Sequence, residues 1–416
     1  MKMNFLPILA IASAMTLSSP LTVCAKDNKK AQPAVSAPVA VPATVVMYNQ
    51  VLSSSNRPSD MIVPEGIAEY VPDGLRITKT GDFVKLDRYY SLAERKARYS
   101  VRFSEDAVAL FQCDSKDFVA YVDMTSKNVG IRLRSGRDQF TPRDSQAAFL
   151  SADHDYIVEV ERYYNTMTVR LIDAYTGDQV DVSATSDGSG GAGPGSIHRG
   201  VRVGLLHDYY TFGLESGSGM LVKQMSVIAG QCDYTLLLYG DSITEPESYY
   251  PASMLDQAWP QLIMSNVKGK SATSGRSATQ IKEIIERIKN ELPYVKAKYV
   301  MVTIGTNGGN TEENLCELVE YILSQNSIPV LNNIPSNESN SQVETNAVIE
   351  KVRQKYNLNG CRFDLPTSLA KDGKEVDTST MWTEVYGPRS YFHHPNPSGS
   401  RLMYLQTLLD VPEIYE

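Results

Sequence analysis

The chain has 416 residues, a net charge of −8 and 42% hydrophobic residues. An acidic chain of this kind carries no basic footprint for nucleic acid, so no nucleic-acid partner is expected. Its length leaves room for two domains once the leading segments are set aside.

Residues 1–25 read as a secretory signal peptide. Lys2 opens it, Phe5 to Leu17 is apolar, and Val23-Cys24-Ala25 places small residues before Lys26. The apolar run is too short, and too interrupted by Ser and Pro, to cross a bilayer, so no membrane span is expected. Cys24 offers a second route, a lipid-anchored cysteine, but Val23 stands where Gly, Ala or Ser normally precedes one. Cleavage after Ala25 is the favoured reading, and either route exports the protein to the periplasm or beyond. Residues 26–45 read as a linker, with Lys26, Lys29 and Lys30 followed by Pro33, Pro38 and Pro42 among Ala, Val and Ser. Beyond it, Cys113, Cys232, Cys316 and Cys361 show no metal-type spacing and read as isolated thiols. No metal and no cofactor are expected. An exported protein can oxidise a pair of cysteines, and the sequence does not select one.

Residues 46–230 read as all-β. Tyr99, Val101 and Phe103 alternate with Arg98, Ser100 and Arg102. Val158 and Val160 alternate with Glu159 and Glu161, and Met167, Val169 and Leu171 with Thr168 and Arg170. Each run predicts a strand with one wet face. Further strands are expected at 107–112, 118–124, 129–133, 201–206 and 220–228, separated by turn residues such as those of 187–196. Many short strands without helices suggest a sandwich or jelly roll. Tyrosines are frequent here, Tyr90, Tyr99, Tyr156, Tyr163 and Tyr210 among them. Exposed ones could stack on sugar rings; buried ones would simply be good strand residues.

Residues 231–416 read as α/β. Leu236 to Tyr239 is a short apolar strand ending in Gly240-Asp241-Ser242, which puts Ser242 just past a strand's carboxyl end. A serine there is a nucleophile if a base lies close, and otherwise a turn residue. A polar, Tyr-rich loop at 245–250 follows, then a helix over 254–267 around Trp259. Ser274-Gly275-Arg276 precedes an amphipathic helix with Ile281, Ile284, Ile285, Ile288 and Leu292 on one face. Strands are expected at 299–304, 328–334 and 361–365, and helices at 312–325, 343–356 and 400–409. Strands alternating with helices imply a parallel sheet covered on both faces.

Gly240-Asp241-Ser242, Gly275, Gly305-Thr306-Asn307 and His394-Pro395-Asn396 follow one another in the order and approximate spacing of the SGNH (GDSL-type) hydrolases, which the chain resembles from about Asp233 to its end. The resemblance implies a flavodoxin-like three-layer fold and ester hydrolysis. It implies Ser242 as nucleophile and His394 as base. It also implies an oxyanion hole built from the backbone N–H groups of Ser242 and Gly275 and the Asn307 side-chain amide. Histidine suits the base because its pKa lies near neutrality, and glycine and asparagine suit close, neutral donors. The β-rich half carries no comparable resemblance.

One position departs from the pattern. The family places an aspartate three residues before the histidine, and Tyr391 stands there. Glu384, Asp377 or Asp364 could supply the acid, a backbone carbonyl could accept from the histidine in its place, or the domain could be impaired as an enzyme. His393 is expected to be a solvated neighbour. The leading expectation is an exported serine esterase removing small acyl groups, acetyl first among them, from a carbohydrate. The alternatives are a lipid or aryl esterase and a catalytically impaired carbohydrate-binding protein.

Overall fold

The computed structural model describes residues 45–111, 118–135, 139–185, 210–386 and 389–416. Residues 1–44 of the signal-peptide and linker segments, Cys113, the turn residues 187–196 and the expected strand at 201–206 lie outside the described residues, as do the side chains of Glu384 and Tyr391, whereas Val45, read as the end of the linker, opens the strand Val45–Val51. Cys232, Cys316 and Cys361 are free thiols.

Period-two alternation does build the first half. Tyr99, Val101 and Phe103 are buried while Arg98 and Arg102 face water. The ten-residue strands Glu94–Phe103 and Met220–Ala229 pair antiparallel at the centre of one sheet. From one edge that sheet runs Gln179–Thr185, Thr166–Asp173, Tyr156–Tyr163, Glu94–Phe103, Met220–Ala229, Gly74–Ile77 and Ala68–Val71, with Val45–Val51 also on Met220–Ala229. A second antiparallel sheet, centred on Val108–Phe111, packs its face on the first. Tyr99 of the first sheet meets Phe111 and Phe212 of the second at ring-centroid distances of 5.0 and 5.4 Å. Most of the tyrosines are therefore core: Tyr90, Tyr99, Tyr156 and Tyr210 are buried and only Tyr163 of the five named is exposed. Glu159, expected on the wet face, is also covered, because Lys96, Arg98 and Arg170 all bond to it.

The second half is a parallel sheet in the order Ser271–Gly275, Tyr234–Gly240, Ala297–Thr303, Ile328–Leu331. Alternate residues of each strand feed opposite layers. Leu237, Tyr239, Val300 and Val302 pack with Ile281–Val295, Glu312–Ser324 and Gln342–Tyr356. Leu236, Leu238, Tyr299 and Met301 pack with Trp259, Ile263, Phe363 and Met403 on the other side. Helices thus cover both faces, as the continuous apolar strands require.

Two expected elements differ. The helix foreseen over 254–267 is a 3-10 segment, Ala252–Gln257, and then a separate helix, Trp259–Met264. Ala258 is extended between them, and Pro260, which has no N–H to continue a helix, sits in the first turn of the next one. The strand foreseen over 361–365 is a single bridge from Arg362 to Asn333. The chain then enters the helical turn Asp364–Thr367, with Arg362 doubly bonded to Asp364.

The described residues from 45 onward fall in one compact unit. A continuous buried cluster runs from the sandwich into the parallel sheet and its helix Ile281–Val295. Polar contacts cross the same boundary. Glu291, fully buried, accepts from the Ser91 and Leu92 N–H groups at 2.6 and 3.0 Å and from Ser274 Oγ at 2.7 Å. The Ala93 N–H donates to Thr273 O, so the sandwich covers the outer edge of the end strand. Glu291→Ala leaves two buried N–H groups unpaired. It is expected to cost about 3 kcal/mol, measured by urea unfolding. A midpoint equal to wild type would show that the boundary does not depend on it.

Candidate active site

The strand register sets the site. Gly240 lies beside Gly275 on one side and Thr303 on the other, so the three strand ends are level. The strands that follow Tyr234–Gly240 in the chain sit on opposite sides of it, which opens the crevice of a doubly wound sheet at its carboxyl edge. Ser242 stands two residues beyond Gly240. Gly240 is glycine for lack of space. A Cβ there would lie 2.0 Å from Thr244 Oγ1 and 2.4 Å from Thr303 O. A Cβ on Gly275 would lie 2.6 Å from Thr244 C and 2.7 Å from Glu245 N, so the Gly275 strand end rests directly on the turn that carries Ser242.

That turn is closed by the Thr244 and Glu245 N–H groups donating to Asp241 O and by Glu245 N–H to Ser242 O. Tyr249 Oη and Trp259 Nε1 both donate to Ile243 O at 2.9 Å, fixing the residue after the serine. Asp241 is fully buried and accepts from Ile243 N–H at 3.0 Å. Burial pushes its carboxyl up to about 6, against the opposing pull of that N–H, the His393 charge and the Thr306 N–H.

His394 arrives from the loop before the helix Pro397–Asp410. Its Nε2 lies 2.7 Å from Ser242 Oγ, with His394 5% and Ser242 7% exposed. Its backbone is pinned at several points. His394 O accepts from Trp382 N–H, Pro395 O accepts from Tyr250 Oη, and the Asn396 amide donates to Ser379 O and Met381 O. Asn396 also caps the helix by accepting from Gly399 N–H. The imidazole packs against the Tyr249 ring at 4.6 Å and the His393 ring at 4.4 Å, between centroids.

Asn307 lies in the loop after Ala297–Thr303, where Gly305, Gly308 and Gly309 take positive φ. Its Nδ2 donates to Thr279 O at 3.0 Å, and its backbone carbonyl oxygen accepts from Gln280 Nε2 at 2.9 Å. A carboxamide carries two N–H bonds, so one remains for a ligand.

Of the carboxylates considered for the histidine, Asp377 caps Thr378–Thr380 through Ser379 N–H, and Asp364 is held by Arg362 and Asn333. Glu384 lies on the strand Glu384–Tyr386, two residues after Trp382, and its side chain is outside the described residues. His393 is not simply solvated, as was expected. Its Nδ1 is 3.2 Å from both oxygens of Glu338, which also accepts from Phe392 N–H. These bonds hold the Glu338 carboxyl below its usual range against the opposing effect of burial. Glu338 carries no sequence signal, because only folding brings its loop to the histidines. Among the described residues, no three His, Cys, Asp or Glu side chains are grouped to hold a metal ion. No described helix is long and apolar enough to cross a membrane.

The loop read as polar is largely interior: Glu245, Glu247, Tyr249 and Tyr250 are all buried.

No family model and no curated protein matches the chain. Solved structures to which it is similar include the exoplasmic/lumenal domain of VIP36 in a Ca2+/Man3GlcNAc-bound form, at 9% identity over 44% of this chain and 90% of that one, with a TM-score of 0.33. They also include a GDSL-like lipase from Bacteroides thetaiotaomicron, at 14% identity over 42% of this chain and 85% of that one, again with a TM-score of 0.33.

Burial pushes the Glu247 carboxyl from 4.5 up to about 7, with Arg162 pulling it down and Glu245 pushing it up. The folded chain therefore holds this proton more tightly than the unfolded chain. The stability this supplies is full below the unfolded value and is lost as pH rises toward 7. Glu247→Gln is expected to flatten the fall in unfolding free energy between about pH 5 and pH 8 by roughly 2–3 kcal/mol. Urea titrations at both ends check this, and an unchanged slope would contradict it.

Proposed function

We propose that the chain is an exported serine esterase that removes small acyl groups, acetyl first among them, from a carbohydrate. In this reading residues 46–230 form a β-sandwich domain and residues 231–416 the hydrolase domain of SGNH type. The observation that carries the chemistry is the 2.7 Å contact between Ser242 Oγ and His394 Nε2. With its proton on Nδ1, the imidazole accepts the serine proton at Nε2 as Oγ attacks the ester carbonyl. The imidazolium then protonates the sugar oxygen as its bond to the acyl carbon breaks, so that it leaves as a hydroxyl; water, deprotonated by His394, attacks the acyl-serine in the same way, and the acid leaves as Ser242 Oγ regains its proton. The oxyanion formed at each attack is met by the Ser242 and Gly275 N–H groups and the free N–H of Asn307. None of these steps calls on a metal or a cofactor.

The carbohydrate rests on the resemblance and on the pairing with a β domain. Acetate release from a panel of acetylated glycans tests it. Ser242→Ala and His394→Ala are each expected to lower turnover by about 10³-fold or more while remaining folded. Asn307→Ala is expected to lower kcat by about 10²–10³. Faster turnover of long-chain or aryl esters than of acetylated glycans would replace the substrate. Glycan binding with no turnover, and no labelling of Ser242 by a fluorophosphonate, would make the chain a binding protein.

A further inference from the structure

Two glutamates are buried within five residues of Ser242, on its C-terminal side. Glu245 and Glu247 are each 1% exposed. Buried acids are costly unless something compensates them. Here the compensation comes from the other half of the chain. Arg162, on the sandwich strand Tyr156–Tyr163, places Nη2 3.8 Å from Glu245 Oε1 and 3.6 Å from Glu247 Oε1. Its guanidinium is itself fixed. Nε donates to Tyr164 O at 3.0 Å and Nη1 to Ser91 O at 3.3 Å, and the residue is 3% exposed.

Glu245 joins the two elements that would hold the oxyanion. Its backbone N–H closes the Ser242 turn. Its Oε2 accepts from Ser277 N–H at 2.7 Å, in the segment just after Gly275. The Gly275 strand end already touches Thr244 and Glu245 without room for a methyl group. So one side chain clamps the Gly275 segment onto the Ser242 turn, and one sandwich arginine supplies its charge partner.

We propose that Arg162 is a positioning residue of the Ser242 site, acting through Glu245, so that the sandwich helps set the geometry of the oxyanion donors. The proposal rests on the esterase reading for its effect on turnover. Without Arg162 the two buried acids lose the cation they share, and the pair relieves itself by taking up a proton or moving apart. A proton on Glu245, or a shift of its carboxylate, loosens Ser277 and with it Gly275. A displacement of about 1 Å at donors of this kind costs on the order of 10²-fold in rate.

The test uses the full chain, with Arg162→Met, Arg162→Lys, Glu247→Gln and the double variant Arg162→Met/Glu247→Gln. Arg162→Met is expected to lower kcat about 10- to 100-fold with KM changed less than about threefold. Amide hydrogen exchange is expected to quicken in 241–246 and 274–279 more than elsewhere. The double variant is expected to regain much of the lost kcat, because it removes the repulsion; a packing role would give no such recovery. Arg162→Lys keeps the charge but cannot serve both carbonyls and both acids, so it is expected to fall between wild type and Met, and it carries the test if Met does not fold.

Turnover per folded molecule equal to wild type, with exchange in those two segments unchanged, would overturn the proposal. So would a uniform loss of stability with neither effect. If wild type turns over no ester, the esterase reading falls, and the exchange pattern still decides whether Arg162 holds the two segments.

Discussion

Close backbone approach at the carboxyl edge of the parallel sheet is the constraint on which the site depends. Gly240 and Gly275 lie side by side in register, and neither has room for a Cβ. Side chains there would push apart the turn bearing Ser242 and the strand end beside it. The pleat then directs alternate residues into two helical layers, and the three level strand ends leave a crevice for Ser242, Gly275 and Asn307. His394 reaches the same crevice from a loop more than 150 residues later, locked by Asn396, Trp382 and Tyr250.

The sandwich is not a bystander to this arrangement. Ser91, Leu92 and Ala93 bond to Glu291 and Thr273, covering the outer edge of the strand that ends at Gly275. Arg287 reaches from the helix Ile281–Val295 to Ser91 Oγ and to Thr279 Oγ1, and Thr279 O in turn receives the Asn307 amide. Glu291 and Arg287 are tolerated in the interior here because each is met by directed hydrogen bonds, the condition under which such groups specify geometry. The arrangement also explains why the apolar cluster is continuous across both halves of the chain.

Two of the carboxylates read from the sequence as partners for His394 are engaged elsewhere. The position three residues before it is Tyr391, and Asp377 and Asp364 spend their oxygens on a cap and on Arg362. A carboxylate does approach through the neighbouring ring: Glu338 bonds His393, whose ring lies against His394. Glu338 also holds Phe392 N–H, so the same side chain steadies the backbone leading into His394.

Much of this was legible in the residues themselves. Alternation in Tyr99 to Phe103 and in Met167 to Leu171 wrote sheet faces, because a strand has period two. The apolar run ending at Gly240 and the spacing of Ile281 to Leu292 wrote a strand and a helix face, because burial on one side needs that period. Ser242, Gly275, Asn307 and His394 were singled out by the resemblance that their motifs carry in order; residue type alone would leave Gly275 and Asn307 as turn residues. What the chain alone could not say is which distant groups meet. Glu338 and His393, Arg162 and Glu245, and Ser91 and Glu291 are separated by 55, 83 and 200 residues, and no local propensity encodes such pairs. The segment 245–250 reads as polar by composition, yet Glu245, Glu247, Tyr249 and Tyr250 are buried by fold, and the countercharge of the two acids lies on another sheet. Local pattern determined the elements; only tertiary packing decided which charges could leave water.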